Sequence, residues 1–204
     1  MQEEVWIFWT LLAFLCGSVP FSLLIGFRVL KVDVRGYGDG NPGAANVIRA
    51  GGWRVGIPAV LLDSFKGAAP VGTAYFLMSI QDWRIVPIAI APVAGHAFSP
   101  WLCFRGGKAI AVTFGVWTGL TLGEAPFLLG IFLLLTYFTV AVNGWAVILA
   151  MLGLLGGLLV SHHGLVFLGV WLGNTAILIF KHRHDLAQPP GVNPVIVRLL
   201  RRRS

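Results

Sequence analysis

The sequence predicts an all-α, polytopic integral membrane protein of about seven transmembrane helices, with the N-terminus outside and the C-terminus in the cytoplasm. Three observations carry this prediction. Hydrophobic residues fill 57% of the 204 positions and charged residues only 11%, with a mean hydropathy of +0.82, far from the balance of a soluble globule. The Leu, Val, Ile and Phe residues run in long stretches broken by Gly, without the alternation of a half-wet strand or the one-sided stripe of a surface helix. The Lys and Arg residues gather in alternate loops, as retention of cationic loops on the cytoplasmic side requires.

Taken in order, the apolar runs predict helices at about Val5 to Leu30, Val55 to Met78, Ile85 to Phe98, Ala109 to Leu122, Pro126 to Val142, Ala146 to Val160 and Leu165 to Phe180. Several are short for a hydrocarbon core of about 30 Å, and their glycines predict close helix packing and re-entrant ends, not a wide pore. The first run follows Glu3 and Glu4, where a signal peptide carries basic residues, so it reads as a retained helix. Orientation follows from the cations. Arg28, Lys31, Arg35, Arg49 and Arg54 fall in the first loop, Arg105 and Lys108 before the fourth helix, and Lys181, Arg183, Arg198, Arg201, Arg202 and Arg203 in the C-terminal segment. That places thirteen of the fifteen on one side; Lys66 lies inside the second span and Arg84 is external.

No repeat, linker or low-complexity segment interrupts residues 1–204, which read as a single membrane-embedded domain. Cys16 and Cys103 give no disulfide framework and read as packing residues. The net charge of +7 finds no soluble domain to present it to nucleic acid, so anionic lipid and phosphate substrates are the candidate partners. The tail after Asp185 is read as leaving the membrane. Its Arg201 to Arg203 run has two readings, contact with anionic headgroups or a solvated basic tail.

Three polar stretches stand out. The loop Asp33 to Arg49 places Gly38, Gly40 and Gly43 at G-x-G-x-x-G spacing, but no βαβ unit surrounds them. Glycines here let backbone N–H groups converge on an anion, Pro42 opens a short helix, and Arg35 and Arg49 offer planar forks for phosphate. The alternative is a tight turn whose arginines only enforce topology. The second stretch runs from Gly95 and His96 to Gly106, Gly107 and Lys108; the glycines free the backbone and put Lys108 at the positive end of the fourth helix, which suits an anion. His96 is either a packed membrane histidine or a functional one. The third is Asn174 followed by Lys181, His182, Arg183, His184 and Asp185 at the cytoplasmic exit of the last helix, where histidine beside carboxylate offers a base or a donor to phosphate. Asp63 and Lys66 share a helix face, either as an ion pair holding the bundle together or, for Lys66, as part of an active-site field. His162 and His163 point to different sides of their helix on the outer face and stay outside the site, and nothing else offers a metal set.

In their order along the chain, these motifs resemble the bacterial acyl-phosphate:glycerol-3-phosphate acyltransferases. The resemblance rests on Gly17-Ser18-Val19-Pro20, the Asp33 to Arg49 loop, Leu61-Leu62-Asp63 with Lys66-Gly67, Gly95-His96, Gly106-Gly107-Lys108 and His182-Arg183, and covers nearly the whole chain. It implies a seven-helix enzyme of the bacterial inner membrane, with its site facing the cytoplasm. The enzyme would move a fatty acyl group from acyl phosphate to the 1-hydroxyl of glycerol 3-phosphate, giving lysophosphatidate for phospholipid synthesis without a cofactor. On that reading Lys108, His182 and His96 are the catalytic candidates. Arg35, Gly38, Gly40, Asn41, Asn46, Arg49, Gly106, Gly107 and Arg183 bind substrate, with Lys108 and the Gly106-Gly107 amides set against a developing oxyanion or the leaving phosphate. The family's first loop typically reads G-S-G-N-x-G-A-T-N and its last motif H-R-x-N followed by a Glu. Here Asp39 replaces the Ser, Ala45 the Thr and Asp185 the Asn, and no Glu follows. A carboxylate in a phosphate cradle repels its ligand unless an Arg neutralises it. From another class, the same charges suit a membrane carrier or lipid-binding module for a phosphate-containing anion, although carriers place their binding groups near the midplane. The sequence carries no signal of oligomeric state.

Overall fold

The structure, a computed structural model, describes residues 4–195; Glu3, Arg198 and Arg201 to Arg203 lie outside them. The chain forms two compact units, Met1–Leu122 and Gly123–Ser204. The first contains α1 (Val5–Ser18), α2 (Phe21–Ile25), α3 (Ala44–Gly51), α4 (Trp53–Gly72), α5 (Ile85–Ala97) and α6 (Ile110–Thr121). The second contains α7 (Glu124–Thr139), α8 (Asn143–Val160), α9 (Leu165–Lys181) and α10 (Arg183–Leu186). Among the described residues, three segments are long and apolar enough to cross a membrane, Val5–Leu30, Ile85–Leu102 and Asn143–Val160, and α6, α7 and α9 are shorter apolar helices.

Helices α1 and α5 pack through glycines. A Cβ on Gly17 would collide with the backbone of Pro92, and one on Gly95 with the Phe14 carbonyl. Helices α4 and α6 do the same through Gly67 against Val112 and Gly115 against Ser64. Small residues at such crossings allow backbone-to-backbone approach where no hydrophobic drive separates helix from lipid. The outward face confirms the solvent. On α4, Ile57, Leu61 and Phe65 recur every four residues and are exposed, Phe65 by 66%, whereas Gly56, Ala59, Asp63 and Lys66 are turned inward. Polar inside and apolar outside is the pattern of a helix whose solvent is lipid.

Three local features refine the sequence reading. The first apolar run is broken at Val19, whose backbone is extended at ψ 123° because Pro20 disfavours helical geometry in the residue before it. The short helix expected to open at Pro42 is present as the two-turn α3, which begins at Ala44. The segment after Asp185 docks back on the α7–α8 turn as far as it is described: Trp145 Nε1 donates to Gln188 O at 2.7 Å and Asn193 Nδ2 to Tyr137 O at 3.0 Å. Val140 and Val192 form an antiparallel bridge. The docking satisfies the carbonyls at this turn, and periodicity carries no signal for it.

Candidate active site

The break in the first run exposes carbonyls that an unbroken helix would satisfy internally, and within an apolar bundle each needs a donor. Ser18 O accepts from Ser99 Oγ at 2.6 Å, and Val19 O from Lys66 Nζ at 2.7 Å. Lys66 also pairs with Asp63 at 2.8 Å, and Asp63 accepts from Ser22 Oγ at 2.5 Å. Asp63 and Lys66 are thus a buried clamp on the α1–α2 break. Nδ1 of His96 lies 3.9 Å from Asp63 Oδ1, and the ring packs under Gly107, where an added Cβ would strike His96 Nε2.

The two glycines therefore serve close approach. Neither has a positive φ, and a Cβ on Gly106 would strike the His96 carbonyl. The Gly107 N–H donates to His96 O at 3.1 Å. That amide, expected from the sequence to face an oxyanion, is engaged by the end of α5. Lys108 follows directly, two residues ahead of α6, and Ala109 between them is left-handed at φ 65°. Cys103 and Phe104, at φ 50° and 61°, are left-handed as well. A left-handed residue with a Cβ costs about 1–2 kcal/mol, so the loop is held in place by its surroundings, the His96 contact among them.

The Gly-rich loop comes to meet Lys108. Gly38 (φ +58°) and Gly40 (φ +74°) flank Asp39 in left-handed geometry open to glycine. Asp39 Oδ2 lies 3.0 Å from Lys108 Nζ. Its Oδ1 accepts from Asn46 Nδ2 at 3.1 Å and from the Asn41 N–H at 3.2 Å. Asn46, on α3, also donates to Asn41 O at 2.8 Å and accepts from Arg49 Nη1 at 2.6 Å, one helical turn on. Gly38 closes the cluster, because a Cβ there would meet both Arg49 Nη1 and Asn46 Oδ1. Asn41 Oδ1 is buried and accepts no hydrogen bond among the described residues. Burial opposes the charge on Asp39, but Lys108, with help from the Asn41 N–H and Asn46, outweighs it and holds the carboxyl below its ordinary range. The cation that neutralises Asp39 is a lysine, Lys108.

Gly38, Gly40, Asn41, Asn46, Arg49 and Lys108 thus converge, with Gly106, Gly107 and His96 behind Lys108. Arg35 does not join them. It folds back on Asp33, with Nη2 at 2.7 Å and Nε at 3.0 and 3.1 Å from the carboxylate, because Asp33 caps the short turn at Val34–Gly36 and accepts the Arg35 N–H. The hydrogen bonds of this exposed pair hold the Asp33 carboxyl low. In the second unit, His182 is buried and its Nδ1 donates to Leu178 O at 2.9 Å, which leaves Nε2 as the acceptor of the neutral ring. Arg183 is turned back on α9, donating to Phe180 O at 2.9 Å and stacking on that ring at 4.5 Å. On the same helix, Asn174 is fully buried with neither amide atom bonded among the described residues. His163 pairs with Glu124 at 3.3 Å, beside the Ser161 hydroxyl that donates to the same carboxylate. Ser22, Ser99 and the Val19 carbonyl were not singled out in the sequence; the Ser-Val-Pro break is the signal that could have found them.

A family model described as Glycerol-3-phosphate acyltransferase matches residues 7–188. The glycerol-3-phosphate acyltransferase of Maridesulfovibrio salexigens is 35% identical over 187 residues, covering 89% of this chain and 92% of that protein. Glycerol-3-phosphate acyltransferase 1 of Thermotoga maritima is 45% identical over 120 residues, covering 57% of this chain and 58% of its relative. The crystal structure of PlsY (YgiH), an integral membrane glycerol 3-phosphate acyltransferase, in its glycerol 3-phosphate form superposes with a TM-score of 0.81 at 28% identity over 90% of each chain. Its lysophosphatidic acid form gives 0.76 at 29% identity, again over 90% of each chain. The chain belongs to the glycerol-3-phosphate acyltransferase family, a family of integral membrane enzymes.

Proposed function

We propose that the chain transfers a fatty acyl group from acyl phosphate to the 1-hydroxyl of glycerol 3-phosphate, releasing lysophosphatidate and inorganic phosphate, at a site facing the cytoplasm of the bacterial inner membrane. The observation that carries this reading is the convergence of Asn46 and Lys108, from two separate stretches of chain, onto one carboxylate, with Arg49 bonded to Asn46. Donors that gather a carboxylate also gather a phosphate. The relatives' names supply the acceptor, and the match over residues 7–188 supports one enzyme domain. The same names favour acyl transfer over the carrier reading.

In the proposed reaction, Arg49 and Asn46 hold the phosphate of the acceptor. The hydroxyl donates to an acceptor such as Asn41 Oδ1, and its oxygen adds to the acyl carbonyl carbon. The bond from that carbon to the phosphate oxygen then breaks, and the departing phosphate takes the hydroxyl proton. Acyl phosphate is already activated, so no enzyme nucleophile is needed. Lys108 sets a positive charge where the carbonyl oxygen and leaving phosphate gain negative charge. His96, buried under Gly107, positions the Gly106–Lys108 segment. Arg35, on an exposed turn, adds to the cationic approach.

Complementation tests the reading. A strain lacking its own acyl-phosphate acyltransferase should grow when it carries the wild-type chain and fail with Arg49→Ala at equal expression. No rescue by well-expressed wild type counts against the function, and rescue by the variant counts against the site.

A further inference from the structure

The proposed anion site is already filled by one of the protein's own side chains. Asp39 takes one donor from each element of the cluster: the Lys108 ammonium at 3.0 Å, the Asn46 amide at 3.1 Å and the Asn41 backbone N–H at 3.2 Å. A charged donor, an amide and a backbone N–H around a single pair of oxygens is the environment an external oxyanion requires. Arg49, bonded to Asn46, stands directly behind it.

The carboxylate is placed to leave. Its side chain is 42% exposed and that of Lys108 is 25% exposed, so both are within reach of a solute. Gly38 and Gly40, one on either side, give the Asp39 peptide two flanking hinges of unusual conformational freedom. A phosphate ester carries more charge than a carboxylate and offers three oxygens in place of two, so the exchange favours the substrate once it arrives.

Resting on the acyltransferase reading, we propose that Asp39 is an internal counter-anion, occupying the acceptor's phosphate subsite until glycerol 3-phosphate displaces it and so setting the enzyme's affinity for that substrate. Asp39 is then a specificity-determining residue. Acceptors with a dianionic phosphate expel the carboxylate, whereas weaker oxyanions are held off by it. Removing the carboxylate strengthens binding, an effect that loss of a merely structural hydrogen bond does not produce.

The test measures binding of inorganic phosphate and of glycerol 3-phosphate to the purified, detergent-solubilised protein by calorimetry, alongside steady-state acyl transfer. Wild type is compared with Asp39→Ser and with the near-isosteric Asp39→Asn, which keeps the side-chain volume should the serine variant fold poorly. The expected result is phosphate bound about five- to tenfold more tightly by both variants, with the KM for glycerol 3-phosphate lowered by a similar factor. Unchanged or weaker phosphate binding in a variant that is folded at the temperature of the measurement overturns the inference. If wild type binds phosphate but transfers no acyl group, the acyltransferase reading fails instead, so the two failures are distinguishable.

Discussion

Arg49 and Lys108 owe their importance to what stands between them. Asn46 is buried, takes a hydrogen bond from Arg49 and gives one to Asp39, and Asp39 reaches Lys108. Sequence reasoning singled out both cations and both asparagines, because Gly-rich loops with arginine are a recognisable phosphate signal. It also paired Arg35 with Arg49, and there the local chemistry of a capped turn wins: Asp33 lies two residues away and takes the guanidinium. Spacing alone does not distinguish an arginine aimed at a ligand from one folded onto its neighbour. The Asp39–Lys108 pair makes a prediction about pH. A carboxyl held below its unfolded value of 3.8 contributes its full stabilisation above that value and loses it as the pH falls through the lower folded value. The difference in thermal unfolding temperature between wild type and Asp39→Asn should therefore stay constant between about pH 5 and about pH 8 and shrink only in stronger acid. A difference that fades across that neutral window means that the carboxyl titrates there and is not held by Lys108.

At the scale of elements, the break between α1 and α2 organises the first unit. Pro20 ends α1, two carbonyls are left over, and Ser99 and Lys66 take them, so α4 and the segment after α5 are tied to one point on the first run. The apolar runs were legible because lipid dictates their composition. The break was not, since Ser-Val-Pro inside an apolar run is only two polar atoms and a ring to any periodicity. The clamp itself is testable. Lys66→Met takes the ammonium away from the buried Asp63 carboxyl, leaving it the Ser22 hydroxyl and the His96 ring 3.9 Å away, a loss on the order of 3–5 kcal/mol. The double variant Asp63→Asn, Lys66→Met removes the stranded charge and should recover most of it. Thermal unfolding in detergent compares the three proteins, and equal stability of the single and double variants contradicts the clamp. The return of the tail onto the α7–α8 turn was also beyond the sequence reading, because a stretch with three prolines looks like an exit from the membrane whether or not it docks.

For the whole molecule, the fold class followed from composition, and the family model and the superposition agree with it. Which side of the membrane the site faces rests on the distribution of cations. Cys103 provides a natural probe, since it is exposed and lies five residues from Lys108 in the site loop. In Cys16→Ala protein, a membrane-impermeant maleimide should label Cys103 in inverted inner-membrane vesicles and leave it unlabelled in intact spheroplasts. Labelling in the spheroplasts reverses the orientation and places the site outside.

The chemistry itself is tested most directly by supplying purified protein with radiolabelled glycerol 3-phosphate and palmitoyl phosphate, with no other acyl donor, and following label into lipid. The account predicts labelled lysophosphatidate formed together with inorganic phosphate, and its loss in Lys108→Ala. No labelled lipid from folded wild-type protein, or product formed only when a thioester donor replaces the acyl phosphate, would contradict it.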